Sequence, residues 1–186
     1  MQRFAQTRLV LLDRDGTINV ERHYLSSPDE VELLPNAADG IKLLQSIGFK
    51  LVVITNQSAI GRGYFDLMTL DHIHNRLQEL LSEQGASLDG VYFCPHRPDE
   101  NCACRKPLPA LAERAAEDFN SDLTNSFLIG DNVCDIELGR RIGATTILVR
   151  TGYGAELEKQ AEVKPDYVVA NLLEAAKLIQ QLYNEV

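Results

Sequence analysis

Asp13 and Asp15 flank Arg14 in "LLDRDGT", where an apolar run over residues 8–13 gives way to Gly16. In an extended chain residues i and i+2 share a face, so both carboxylates can point into one crevice. Their repulsion there calls for a cation or a shared proton. Mg²⁺ suits the first, being a hard ion that takes oxygen ligands and bridges carboxylate to phosphate. An Asp-Gly turn would show the same residues, so the rest of the chain must decide. In "ITNQSAIGRG", Thr55, Asn56 and Gln57 leave a second apolar run ahead of Gly61 and Gly63. A hydroxyl and successive backbone N–H groups can cradle a phosphate there, and a helix cap followed by a flexible loop is an equal match. Lys106, between Arg105 and Pro107, can neutralise phosphate at the edge of an acidic crevice. In "LIGDNVCDIELGRRIGA", Asp131 closes another apolar run and is the better metal ligand, while Asp135 reads as a helix N-cap.

A second constellation lies in "CPHRPDENCACRKP". Cys94, His96, Cys102 and Cys104 offer four nitrogen and sulfur ligands, the set of a closed Cys₃His zinc site. Free thiols or a redox pair are the alternatives, and the C-x-H and C-x-C spacings favour zinc. A fully ligated zinc has no open position for water, so the loop 94–104 is expected to be a clamp. Its output is the pair that follows it, Arg105 and Lys106. Cys134 reads as a small packing residue. His72 and His74, among charged residues in a helical stretch, read as solvated; His23, in the loop after the first motif, could touch a substrate.

These residues need elements to carry them. Apolar runs at 8–13, 50–55, 90–94, 126–131, 145–149 and 166–169 predict six strands, and helical periodicity appears over 36–47, 68–84, 108–118, 135–142 and 172–183. Alternating strands and helices, with unbroken apolar strands, predict a three-layer α/β fold: a Rossmann-like, doubly wound, mostly parallel sheet with helices on both faces. In such sheets ligands bind beyond the carboxyl ends of the strands. Asp13, Thr55, Cys94 and Asp131 end four of the runs in turn. The segments between motifs leave no room for a large cap domain. With 186 residues, 45% of them hydrophobic, a single domain over 1–186 is expected. A net charge of −9 opposes nucleic-acid binding. Neither a signal-peptide core near the start nor a membrane-length apolar run is evident, and the grouped cysteines suit a reducing compartment. A cytoplasmic protein with no membrane partner is expected, monomeric by default.

In order and spacing, D-x-D-G-T, the Thr after the second strand, the Lys and G-D-x-x-x-D resemble the haloacid dehalogenase superfamily of phosphohydrolases, from Val10 to about Gly154. The resemblance implies that Asp13 attacks phosphorus to form an aspartyl-phosphate, while Asp15 protonates the leaving alkoxide and then deprotonates water. It further implies that Thr55, Asn56 and Lys106 hold phosphoryl oxygens, and that Asp13, the Asp15 backbone carbonyl and Asp131 bind Mg²⁺. Within the superfamily, "TNQSAIGRG", "CPHRP", "CACRKP" and "VRTGYG" resemble the heptose bisphosphate phosphatases. This implies a small phosphorylated sugar as substrate, contacted by Glu21, Arg22, His23, Tyr24, Asn56, Gln57, Ser58 and Arg105. Asn132 departs from the basic residue often found at its position, where it would meet the second phosphate. The short cysteine cluster is equally similar to histidinol-phosphate phosphatases, which are the alternative. A polynucleotide 3′-phosphatase is opposed by the charge. An inactive zinc-stabilised binding module is opposed by the presence of Asp13, Asp15, Lys106 and Asp131.

Overall fold

The computed structural model describes residues 7–160 and 163–184. Six strands, β1 (Leu9–Leu12), β2 (Lys50–Asn56), β3 (Gly90–Cys94), β4 (Phe127–Gly130), β5 (Thr145–Val149) and β6 (Tyr167–Val169), form one parallel sheet in the order β3-β2-β1-β4-β5-β6. The expected helices form as α1 (Ala37–Ser46), α3 (Leu67–Glu83), α4 (Ala110–Phe119), α5 (Val133–Ile142) and α7 (Leu172–Asn184), each within two residues of its expected limits. Two short ones were not anticipated: α2 (Ser58–Gly61) and α6 (Gly154–Gln160). No helix among the described residues is long and apolar enough to cross a membrane.

The unbroken apolar strands are explained by burial on both sides. Val10 and Leu12, with Leu51 and Val53, pack against α1, α3 and α7. Leu9, Leu11, Val52 and Ile54 face α4 and α5 on the opposite side, and Leu157 of α6 packs on Leu148. Each such side chain contributes on the order of 1.5–3 kcal/mol when fully buried. The three layers, and the absence of a large cap among the described residues, agree with the sequence-based expectation.

Register then positions the chemistry. β1 lies between β2 and β4, with Leu12 opposite Val53 on one side and Ile129 on the other. The Asp13 N–H continues this ladder, donating to the Ile129 carbonyl at 2.9 Å. Successive strands are added on opposite sides of the β1/β4 pair, so the strand order reverses there, the switch point where such sheets open a crevice. Asp13 and Asp131 leave the sheet side by side there. On the other flank Asn56 pairs with Cys94, so the phosphate-loop candidate and the cysteine cluster begin level with each other.

Candidate active site

Beyond Leu12 the chain turns through Gly16, whose φ of 76° lies in the left-handed region. A Cβ on Gly16 would stand 2.2 Å from Asp131 Oδ2, and one on Gly152 (φ 55°) would stand 1.9 Å from it. Two glycines therefore form a cradle around the Asp131 carboxylate. The Tyr153 N–H donates to Oδ2 at 2.8 Å, and Thr151 Oγ1 ties the turn to the Gly16 carbonyl at 2.6 Å. Within "RTGYG", these contacts give Thr151, Gly152 and Tyr153 a physical role.

Lys106 reaches the same place from the far side and is 4% exposed. Its Nζ donates to Asp13 Oδ1 at 2.7 Å and to Asp135 Oδ1 at 2.5 Å. Burial alone would strip the lysine of its proton, but Asp13 and Asp135 hold its pKa well above the usual value. Asp135 is not the cap of α5. Asn132 holds that position, and Asp135 stands one turn inside, accepting the Asn132 N–H at 3.1 Å and pinning Lys106. Oxygens of Asp13, Asp131 and Asp135 all lie within 4.8 Å of one another. Burial, with Asp135 reinforcing and Lys106 opposing, pushes Asp13 up to about 7; burial and the charges of Asp13 and Asp135 push Asp131 to about 8. Three carboxylates against one ammonium are under-compensated, and a hard divalent cation bound by oxygen answers that deficit. The residues fit Mg²⁺.

Asp15 is held differently. Arg14, 1% exposed, folds back and grips it through Nη2 at 2.7 and 3.0 Å and Nε at 3.1 Å. Asn19 Nδ2 and Gln57 Nε2 add hydrogen bonds of 2.9 and 3.0 Å. Burial opposes ionisation of Asp15, but these partners, Arg14 above all, outweigh it and hold the carboxyl below its usual pKa. His74 was expected to be solvated. It points inward instead, with Nε2 3.2 Å from Arg14 Nη1, and burial followed by the arginine's charge lowers its pKa to about 3. His72 is exposed as expected.

The second and third motifs are joined backbone to side chain. Asn56 Oδ1 accepts the Lys106 N–H at 3.0 Å and its Nδ2 donates to the Lys106 carbonyl at 3.2 Å. The Asn56 amide thus positions Lys106. Gln57 spends its amide on Asp15, Thr55 Oγ1 and Arg14. The Gln57 N–H donates to the Cys94 carbonyl at 2.7 Å and the Gly61 N–H to the Pro95 carbonyl at 2.9 Å, so α2 is docked on the cysteine loop. In that loop Cys94 Sγ lies 3.6 Å from Cys102 Sγ and 3.2 Å from Cys104 Sγ, and His96 Nδ1 lies 3.2 Å from Cys104 Sγ. These are non-bonded separations, and all four cysteines are free of disulfides. A tetrahedral ion with sulfur bonds of about 2.3 Å sets its sulfurs about 3.8 Å apart, which this cluster matches after slight expansion. The Cys₃His set therefore fits Zn²⁺. Arg105 Nη1 donates to the His96 carbonyl at 3.3 Å, linking the cluster to the cation beside Lys106.

Asp13, Asp15, Thr55, Lys106 and Asp131 line one cavity of about 210 Å³, with Glu21, His23, Tyr24, Leu25, Asn56, Gln57, Ser58, Ala59, Arg105, Asn132 and Cys134 around them. Arg22 does not line it. Its guanidinium turns outward to Glu32 at 2.6 Å, both exposed, because neighbouring side chains in that loop point to different sides. Tyr24 stacks edge-on with Tyr64, ring centroids 5.0 Å apart, bridging the loops that follow β1 and β2. Cys134, read as a packing residue, stands on the cavity wall with its thiol pKa raised by burial.

A family model described as HAD-hydrolase-like matches residues 103–175. A Pseudomonas aeruginosa protein named D-glycero-beta-D-manno-heptose-1,7-bisphosphate 7-phosphatase is 40% identical over 78% of this chain and 83% of its own length. A Helicobacter pylori (strain J99) protein of the same name is 45% identical over 71% of this chain and 76% of its own. Among solved structures, the D,D-heptose 1,7-bisphosphate phosphatase of B. bronchiseptica, complexed with magnesium and phosphate, superposes with a TM-score of 0.89. It shares 34% identity over 95% of this chain and 99% of that one.

Proposed function

The chain belongs to the heptose-1,7-bisphosphate 7-phosphatase family of HAD-like hydrolases, and on that premise we propose how its residues remove the 7-phosphate of D-glycero-D-manno-heptose 1,7-bisphosphate. The observation that carries the mechanism is the buried cluster of Asp13, Asp131, Asp135 and Lys106 at the switch point of the sheet. It offers one nucleophilic carboxylate in a pocket already furnished with a cation.

Asp13 Oδ attacks phosphorus as the bond from phosphorus to the C7 oxygen breaks, and the departing alkoxide takes a proton from Asp15. Water then attacks the aspartyl-phosphate, giving its proton to Asp15, and inorganic phosphate leaves with Asp13 restored. For this second step Asp15 is in the required anionic form while it rests in the Arg14 fork. To serve as acid it carries its proton only when turned from that fork toward the leaving oxygen, since a neutral carboxyl loses the charge pairing. Lys106 cancels part of the repulsion between the Asp13 carboxylate and the phosphate dianion, while Asp135 and Asn56 fix its head and backbone. Thr55 lies at the cavity floor to meet a phosphoryl oxygen. When bound by Asp13, Asp131 and the Asp15 backbone carbonyl, Mg²⁺ supplies the remaining positive charge.

Zn²⁺ in the Cys94, His96, Cys102 and Cys104 site holds the loop that presents Arg105 and Lys106 and braces α2. Glu21, His23, Tyr24, Ser58, Arg105 and Asn132 surround the sugar and its second phosphate. We take the enzyme to act as a monomer and as a single domain. The grouped thiols suit the cytoplasm. The histidinol-phosphate alternative is not favoured, since the relatives in hand are named for the heptose bisphosphate. The test compares kcat/KM on heptose 1,7-bisphosphate and histidinol phosphate with Mg²⁺ present: the bisphosphate is expected to dominate, and preference for histidinol phosphate would overturn the assignment.

A further inference from the structure

Among the described residues Arg14 is the largest wholly buried side chain, and a buried guanidinium requires a partner for each of its forks. Nε and Nη2 are spent on Asp15 and Gln57. Nη1 meets a group from a different element altogether: His74 of α3. On that helix Leu70, Ile73, Leu77 and Leu81 are buried against the sheet, and His74 shares their inward side, its ring against Phe93 of β3 with centroids 5.9 Å apart. It does not line the cavity. A neutral imidazole protonated on Nδ1 presents the Nε2 lone pair to the arginine, and burial together with the guanidinium beside it favours that neutral form.

We propose that His74 is a positioning residue, accepting the Arg14 Nη1–H so that the rest of the guanidinium is aimed at Asp15. Without this acceptor Nη1 has a buried donor to satisfy, and the guanidinium must tilt toward another oxygen. The nearest candidates are Asp15 and Gln57, the two side chains it now orients. Asp15 then starts from a displaced position for delivering its proton to the leaving oxygen. The inference rests on Asp15 acting as that acid, as proposed above.

The test uses leaving groups. A sugar alkoxide needs a proton as it departs; p-nitrophenolate does not. We compare kcat/KM on heptose 1,7-bisphosphate and on p-nitrophenyl phosphate for the wild type, His74→Leu, which has no acceptor, and His74→Gln, whose amide oxygen can take the place of Nε2. The ratio of the two constants is independent of how much of each variant is folded. The ratio is expected to fall about ten- to a hundred-fold in His74→Leu, the scale of a roughly 1 Å misplacement, and to recover in His74→Gln. A ratio within about threefold of wild type in His74→Leu, or no recovery in His74→Gln, overturns the role. A wild type that spares the sugar bisphosphate while cleaving the aryl ester would count against the substrate assignment instead; the His74 comparison would then be made with another alkyl phosphate.

Discussion

Replacing Lys106 by Met keeps most of the side chain's volume and removes its charge, leaving Asp13 and Asp135 without the ammonium they share at 2.7 and 2.5 Å. Breaking a buried ion pair by deleting one partner costs about 3–5 kcal/mol. In a chain of 186 residues each kcal/mol moves Tm by about 2–4 °C, so a fall of roughly 6–20 °C is expected. Its pH dependence follows from the direction of the carboxyl shifts. Asp13 is already raised to about 7, chiefly by burial, with the lysine present, and rises further without it. A carboxyl whose folded pKa exceeds its unfolded value binds more protons when folded, so stability is lost as pH climbs from the unfolded value toward the folded one. The loss in Tm is therefore larger at pH 8 than at pH 5, and millimolar Mg²⁺, which brings the missing charge, narrows it. Catalysis is expected to fall by about 10²–10³ in kcat/KM, the scale for deleting one preorganised charge or donor on a reacting oxyanion. Thermal denaturation at both pH values, with and without Mg²⁺, and phosphate-release kinetics check this. A variant whose Tm loss is the same at pH 5 and pH 8, or whose kcat/KM stays near wild type, refutes the reasoning.

Two further outcomes follow from the same contacts. Removing zinc with a chelator, followed by exchange into Mg²⁺ buffer, is expected to lower kcat/KM by about tenfold or more while the α/β circular dichroism persists, because Lys106, Arg105 and α2 all lean on the cysteine loop; unchanged turnover in zinc-free, folded protein would contradict it. Gly152→Ala is expected to weaken Mg²⁺ binding in a calorimetric titration by at least about tenfold, since its Cβ would fall 1.9 Å from Asp131 Oδ2; wild-type affinity would count against Asp131 as a ligand.

Much of this was legible from the chain because strand ends are marked by abrupt changes of residue type. Asp13, Thr55 and Asp131 each follow an apolar run, and parallel pairing brings such ends together without further information. What stayed hidden depends on direction and environment. Arg14 is buried and His74 points inward, yet a charged or polar residue in a sequence looks the same facing water or facing a carboxylate. The positions 70, 74, 77 and 81 fall on one helical stripe, a signal that could have placed His74 inside. Asp135 was read as a cap because helix starts favour Asp; its one-turn spacing from Asp131 was the available clue to a shared site. The helix α2 has four residues, too few to show a period, and exists because Gly61 docks on Pro95. In α6 only Gly154 and Leu157 are buried, which leaves no stripe to read.

The central claim is that Asp13 takes the phosphoryl group from C7 of the bisphosphate. Phosphorus NMR of heptose 1,7-bisphosphate incubated with Mg²⁺ and either the wild type or Asp13→Asn tests it directly. Wild type is expected to yield inorganic phosphate and heptose 1-phosphate, with turnover reduced by at least about a thousand-fold in the variant at unchanged zinc content. Loss of the anomeric phosphate in place of the 7-phosphate, or turnover surviving in Asp13→Asn, would contradict the account.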